Sequence, residues 1–236
     1  MAGRCQALAR AVAVQLDTGV WRIPTSVGDF VNSYAFREAD GSVTLVDAGL
    51  SLRLAHRKLL RGIAATGASP RDVRRLVVTH AHPDHAGGVA RLAAATGADV
   101  LSHEREAVYL RDGRSPRFGT GRTGSFPKAT VAEEFVDDTV LPIGGGLRVL
   151  HTPGHSPGHV SLLHEATGVL ITGDALFNVR GVRYSPGWLC TDPAVNRQSA
   201  DVLGDLDFAM VAFTHGPEIR QGAREAVRAF LRGRER

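Results

Sequence analysis

Apolar positions in the first 47 residues come in short β-branched runs, "AVAVQL", "VWRI", "NSYAF" and "VTLVDAG". Their length and polar punctuation predict strands. From residue 52 the spacing changes. Leu52, Ala55, Leu59, Leu60 and Ile63 fall on one helical face, and Gly67 closes it. "RRLVVTH" then predicts a buried strand, "GGVARLAAATG" a helix, "ADVLSH" a strand and "EREAVYL" a further helical turn or two. Residues 111–128, rich in Gly, Pro, Ser and Arg, predict a long loop, which inside a compact domain is usually functional.

The second half repeats the style. Strands are predicted at "FVDDTVL", "LRVLHTPG", "HVSLLHE", "GVLITGD" and "FAMVAFTHG". A helix is predicted near 193–205, and an amphipathic helix, "IRQGAREAVRAFLRG", closes the chain. Two batches of strands, each followed by helices, predict an α/β protein: two sheets face to face with helices outside, in one domain over 1–236.

Composition narrows the function. The 236 residues are 43% hydrophobic and 22% charged, as in an ordinary globular protein. Twenty-eight Lys and Arg against 24 Asp and Glu leave a net charge of +4, without a basic block or interleaved aromatics, so no nucleic-acid partner is expected. No apolar run is long enough to span a bilayer, and "RCQALARAVAVQL", broken by Arg10, lacks a clear cleavage site. The two cysteines, Cys5 and Cys190, form no C-x-x-C pair. The expectation is a cytoplasmic protein without a disulfide framework.

Chemistry concentrates in "VVTHAHPDHAGG" at 77–88. On a regular strand His80 and His82 would share a face, and Asp84 and His85 follow at once. Pro83 is expected to bar regular helix there, letting the loop wrap its side chains round a point. Imidazoles and carboxylates suit Zn²⁺, with Fe or Mn as alternatives. Three more strands end in the same style, at His155 in "HTPGHSPGH", Asp174 in "LITGDALF" and His215 in "VAFTHGP". Seven such ligands exceed one tetrahedral zinc and suit two metals sharing a carboxylate. An open two-metal site points to hydrolysis, because the metals generate hydroxide and polarise the substrate.

From "LVDAGL" through "THAHPDH", "TPGHSPGH" and "TGDALF" to "THG", the sequence resembles the metallo-β-lactamase fold superfamily. The resemblance implies an αβ/βα four-layer sandwich of two mixed sheets with the metals at one edge. It implies that His80, His82 and His155 hold one metal, that Asp84, His85 and His215 hold the other, and that Asp174 bridges them. It places Asp47 beside the site as an orienting residue; from the sequence alone, capping the following helix is an equal reading of Asp47. True β-lactamases of this fold generally lack an aspartate bridge at the position of Asp174. The full set looks more like glyoxalase II-type thioesterases and lactonases. Only one helix follows His215, short of the helical extension with which glyoxalase II holds glutathione. The resemblance therefore implies a dinuclear hydrolase of a small-molecule thioester, ester or lactone. Asp84, besides binding metal, would orient the hydroxide and handle its proton. The alternatives are a persulfide dioxygenase-like enzyme using one iron, a β-lactamase, an RNA-cutting relative, and a metal-stabilised scaffold without activity.

Other residues carry weaker signals. His159 is expected behind the ligands or at a strand start, and His56, His103, His151 and His164 as structural or surface residues. Arg111, Arg114, Arg117, Arg122 and Lys128 make the 111–128 loop a lid for an anionic substrate or simply a solvated loop. After Asp174, the segment "LFNVRGVRYSPGWLCTDP" is expected to wall the pocket. Arg183, Tyr184 and Trp188 are its candidate substrate contacts, with Tyr184 a donor to a developing oxyanion.

Overall fold

The computed structural model describes residues 11–233. The readings of Cys5, Arg10 and a leader-free N-terminus concern residues that lie at least partly outside that range.

One sheet has seven strands in chain order: β1 (Val14–Asp17), β2 (Val20–Pro24), β3 (Asn32–Arg37), β4 (Val43–Val46), β5 (Val73–Val78), β6 (Asp99–His103) and β7 (Glu133–Phe135). β1 to β4 form an antiparallel meander, whereas β4 to β7 run parallel. Parallel neighbours need crossovers. These are α1 (Arg53–Ala65), then α2 (Pro83–Ala86) with α3 (Val89–Thr96), then α4 (Glu104–Asp112). The second sheet contains β8 (Val140–Leu141), β9 (Leu147–His151), β10 (Val160–His164), β11 (Val169–Ile171) and β14 (Met210–Ala212). Its antiparallel order is completed by a parallel β11–β14 pair. Between those two strands lie a hairpin, β12 (Leu176–Asn178) and β13 (Val182–Tyr184), and the helices α5 (Pro193–Ala200) and α6 (Val202–Asp205). The chain then ends its described part in α7 (Ala223–Arg232).

Strand alternation explains the layers. Tyr34 and Phe36 of β3 point into the core between the sheets, with Val77, Leu101, Leu147, Val149, Val160 and Ile171. Ala35, Leu45, Leu76 and Val78 point the other way, against Leu59 and Ile63 of α1 and Leu92 of α3. On the far side of the second sheet, Leu170, Val211 and Phe213 meet Leu203 of α6 and Val227 and Leu231 of α7. The result is the expected αβ/βα sandwich. Among the described residues no helix is long and apolar enough to cross a membrane.

Three local expectations differ. "FVDDTVL" is two strands, because Asp138 adopts a left-handed φ of 57° and turns the chain between β7 and β8. The 193–205 helix breaks into α5 and α6. Arg111 and Asp112 belong to α4, so the loop begins at Gly113, its left-handed cap.

Candidate metal centre

The site lies where strand ends gather, as in other α/β proteins. Asp47 follows β4, Thr79 and His80 follow β5, His155 follows β9, Gly173 and Asp174 lie just past β11, and Thr214 and His215 just past β14. His82 caps α2 and Pro83 is its first residue. Pro83 thus opens a helical turn rather than barring one, since its fixed φ and missing N–H suit that position. The turn delivers Asp84 and His85 to the other strand ends.

All seven residues named from the sequence meet. His80, His82 and His155 bring ligand atoms within 4.8 Å of one another, as do Asp84, His85 and His215. Asp174 stands between the groups: its Oδ2 lies 3.2 Å from Nε2 of both His155 and His215, and its Oδ1 lies 3.3 Å from His85 Nε2. Asp84 Oδ2 is 3.4 Å from His215 Nε2. Asp84 is the most exposed ligand, with 31% of its side chain reached by solvent, so it marks the mouth.

The donor set fits divalent metal. Nε2 of His80, His82 and His155 is buried without a hydrogen-bond partner, a costly arrangement unless something else takes those lone pairs. The Nδ1 atoms of three of the rings, those of His85, His80 and His155, are held. His85 Nδ1 pairs with Asp47 Oδ2 at 2.8 Å, His80 Nδ1 with Thr79 Oγ1 at 3.1 Å and His155 Nδ1 with Ser185 Oγ at 2.9 Å. Each such bond orients its ring with Nε2 towards the centre of the cluster.

The two halves differ electrostatically. Burial, reinforced by neighbouring imidazoles, holds His80 and His82 well below the ordinary imidazole range, so both are neutral. Burial also opposes charge on His85 and His215, but nearby carboxylates outweigh it, Asp174 above all. His85 is raised well above its usual value and His215 to about 9. Asp84 and Asp174 are held far below the carboxylate range despite burial, Asp84 chiefly by His85 and Asp174 chiefly by His215.

Residues behind the ligands fix the frame. Asp47 has a left-handed φ of 59° and accepts from Thr79 N and Thr79 Oγ1, both at 2.8 Å. It thereby ties β4 to β5, while α1 has no side-chain cap. Both nitrogens of His159 are spent: Nδ1 donates to Thr152 O at 2.9 Å and Nε2 accepts from Asp174 N at 2.7 Å. Thr214 Oγ1 donates to Asp174 Oδ1 at 2.6 Å. Gly173 (φ 53°) allows this approach, since a Cβ there would stand 2.5 Å from His159 Nε2.

Sequence reasoning missed Glu106, Asn32 and Tyr34. Glu106 is fully buried and accepts from Ala81 N, Ser156 Oγ and Gly158 N, each at 2.7 Å. It clasps the loop of His80 and His82 to the loop of His155. Burial pushes its carboxyl up to about 7 against those three hydrogen bonds. The Tyr34 hydroxyl donates to Phe213 O at 2.6 Å and the Asn32 amide to Gly216 O at 2.9 Å, linking the first sheet to the strand bearing His215. The only sequence signal for Glu106 is an acid at a position that the helical pattern of α4 turns inward.

Tyr184 is not brought to the cluster. Its ring packs on Phe230 of α7, 4.8 Å between centroids, with Arg197 over its face. Its neighbour Ser185 is the residue that reaches His155, because adjacent positions leaving a strand face opposite ways. Arg183 is exposed and bonds to Arg180 O, and Trp188 is 62% exposed. The aromatic rings at the centre are instead Phe118 on His82, and Phe30 and Phe177 against His215, with centroids 4.7, 4.9 and 4.2 Å apart. His103 and His151 stack on each other, and His164 bonds to Gly144 O and Thr167. Cys190 is buried, its thiol pushed up to about 11 by burial.

Comparison with known proteins agrees with this geometry. The family model described as "Metallo-beta-lactamase superfamily" matches residues 27–218. The protein YobT of Bacillus subtilis (strain 168) is 30% identical over an alignment of 232 positions that covers 91% of this chain and 97% of YobT. A hydroxyacylglutathione hydrolase of Pseudomonas aeruginosa (strain LESB58) is 30% identical over an alignment of 175 positions that covers 68% of this chain and 60% of that protein. A metallo-β-lactamase of Cronobacter sakazakii with a HARLDQ motif shares the fold, with a TM-score of 0.74 at 24% identity, covering 94% of this chain and 95% of that one.

Proposed function

The chain belongs to the metallo-β-lactamase superfamily, and from that premise we propose that it is a dinuclear metal-dependent hydrolase of a small-molecule thioester, ester or lactone. The observation that carries this reading is Asp174, set between two three-residue ligand groups and within 3.3 Å of a histidine of each. The second group, Asp84, His85 and His215, is surplus to a single-iron oxygenase and favours two metals. The hydroxyacylglutathione hydrolase relative supports thioester chemistry.

His80, His82 and His155 would hold one divalent ion, Asp84, His85 and His215 the second, and Asp174 both. Zinc suits this donor set. Two such ions would make hydroxide available near neutral pH and polarise the scissile carbonyl. Asp84, ionised and at the mouth, would orient the attacking oxygen by accepting a hydrogen bond from it. Phe30, Phe118 and Phe177 flank the ligand rings and limit water at the reacting atoms. A thiolate or alkoxide leaves with little proton assistance, so the residues need supply no strong general acid. The Tyr184 hydroxyl has no part in this reading, since its ring lies against α7.

The test is proton release from zinc-loaded protein given an acyl thioester, an acyl lactone and a chromogenic β-lactam, with metal content measured in parallel. Thioester or lactone turnover that a chelator abolishes is expected, and Asp174→Asn or His82→Ala should lower both metal content and turnover. Unchanged metal and turnover in those variants, or no turnover with two metals bound, would overturn the reading.

A further inference from the structure

Residues 113–132 contain Arg114, Arg117, Arg122 and Lys128 and no Asp or Glu. All four cations are exposed, and among the described residues none of their side chains has a hydrogen bond or ion pair. The flanking surface is handled differently: Arg111 pairs with Glu134 and Arg148 with Glu165. The loop is also built into the site. Phe118, between Arg117 and Arg122, lies on the ring of His82. Phe118 N donates to Arg122 O at 2.8 Å, and Ser115 Oγ accepts from Gly124 N at 2.7 Å, so the loop folds back on itself. Gly124 abuts Pro83, a Cβ there standing 2.5 Å from the proline ring. Thr191 Oγ1 donates to Arg117 O at 2.9 Å, tying the loop to the segment that also carries Ser185 and Cys190. An uncompensated cationic segment is thus fixed against a metal-ligand ring at the rim of the site.

We infer that this loop recognises an anionic group, phosphate or carboxylate, carried by the substrate beyond its scissile bond. The inference rests on the hydrolase reading and deepens it: the substrate is a thioester or ester whose remote end is charged. Unpaired exposed cations gain from a polyanion without first breaking an internal ion pair, and their attraction is screened by salt. Arginine suits both candidate groups, since its planar fork meets phosphate and carboxylate alike.

The experiment is calorimetric titration of zinc-loaded protein with three thioethers that cannot be hydrolysed: S-methylpantetheine, which is neutral, S-methyl-4′-phosphopantetheine, and S-methylglutathione. At low salt one anionic ligand should bind about tenfold tighter than the neutral one, and the gap should close as salt approaches about 0.5 M. In R114Q/R117Q/R122Q the gap should vanish, while R114K/R117K/R122K keeps most of it. Thermal unfolding reports whether each variant retains the fold. Tighter phosphopantetheine identifies phosphate as the recognised group, and tighter glutathione identifies carboxylate. Equal affinities, binding by none of the three, or a gap that persists in the folded glutamine variant would overturn the inference. Failure of the hydrolase reading is separate: it would appear as absent turnover while discrimination among the thioethers persists.

Discussion

Asp47 Oδ2 lies 2.8 Å from His85 Nδ1, joining the end of the fourth strand to a candidate ligand ring on α2, just past the neighbouring fifth strand. The same carboxylate holds Thr79, whose hydroxyl meets His80. One side chain therefore steadies a ligand in each half of the site. Asp47→Ala should weaken zinc binding by about 10–100-fold, the usual effect of removing such support. Competition with a chromophoric chelator measures it. Unchanged affinity for both ions would show that the ligand rings are held by packing alone.

Glu106 clasps the two histidine loops through three buried donors. Glu106→Gln keeps its volume but turns an NH₂ towards one set of them, which should cost about 1–3 kcal/mol in denaturant unfolding. A pH signature separates this from simple misfit. Its carboxyl, raised from 4.5 to about 7, binds a proton more tightly in the folded state. That contribution is full below about 4.5 and is lost as pH rises to about 7. The wild-type-minus-variant stability difference should decline across that window. A flat difference would remove Glu106 from the titration.

The cluster is legible in the sequence because its ligands fall in four groups, each just past the end of an apolar run, and strand ends converge in stacked α/β layers. Glu106 is not legible, because its partners come from loops 25 and 50 residues away along the chain. Tyr184 misleads for a reason of parity. A tight hairpin after Asp174 decides which of two adjacent side chains faces the histidine cluster, and Ser185 takes that place through His155. Pro83 misleads differently, since a proline that breaks a helix interior also begins one well, and only the cap at His82 distinguishes the cases. The sandwich itself follows from the strand and helix periods, whereas its register depends on pairings across the sheet.

Gly173 has a left-handed φ and no room for a side chain. Gly173→Ala would pay about 1–2 kcal/mol for its backbone conformation and would push against His159. The Asp174 N–H to His159 bond should be lost, and Asp174 with it should move between the two ligand groups. A lowered Tm together with substoichiometric metal is expected. Full occupancy at a merely lowered Tm would mean that Asp174 holds its place without His159.

The two halves of the site should respond to pH differently when metal binds. His80 and His82 are already neutral over the physiological range, so protons compete little for their lone pairs. His85 and His215 are raised by the carboxylates around them, His215 to about 9, so without metal both hold a proton at pH 7. An incoming cation must displace those protons, and the apparent affinity of that half should fall as pH drops below about 9, by up to about tenfold per unit for each proton released. The first ion should therefore bind with weak pH dependence and the second with a steep one. Zinc titrations at pH 6, 7 and 8 in buffers of different ionisation enthalpy would count the protons at each step. More than one proton released with the second ion and close to none with the first is expected. The reverse assignment would mean that the carboxylates bind their metal without first charging His85 and His215.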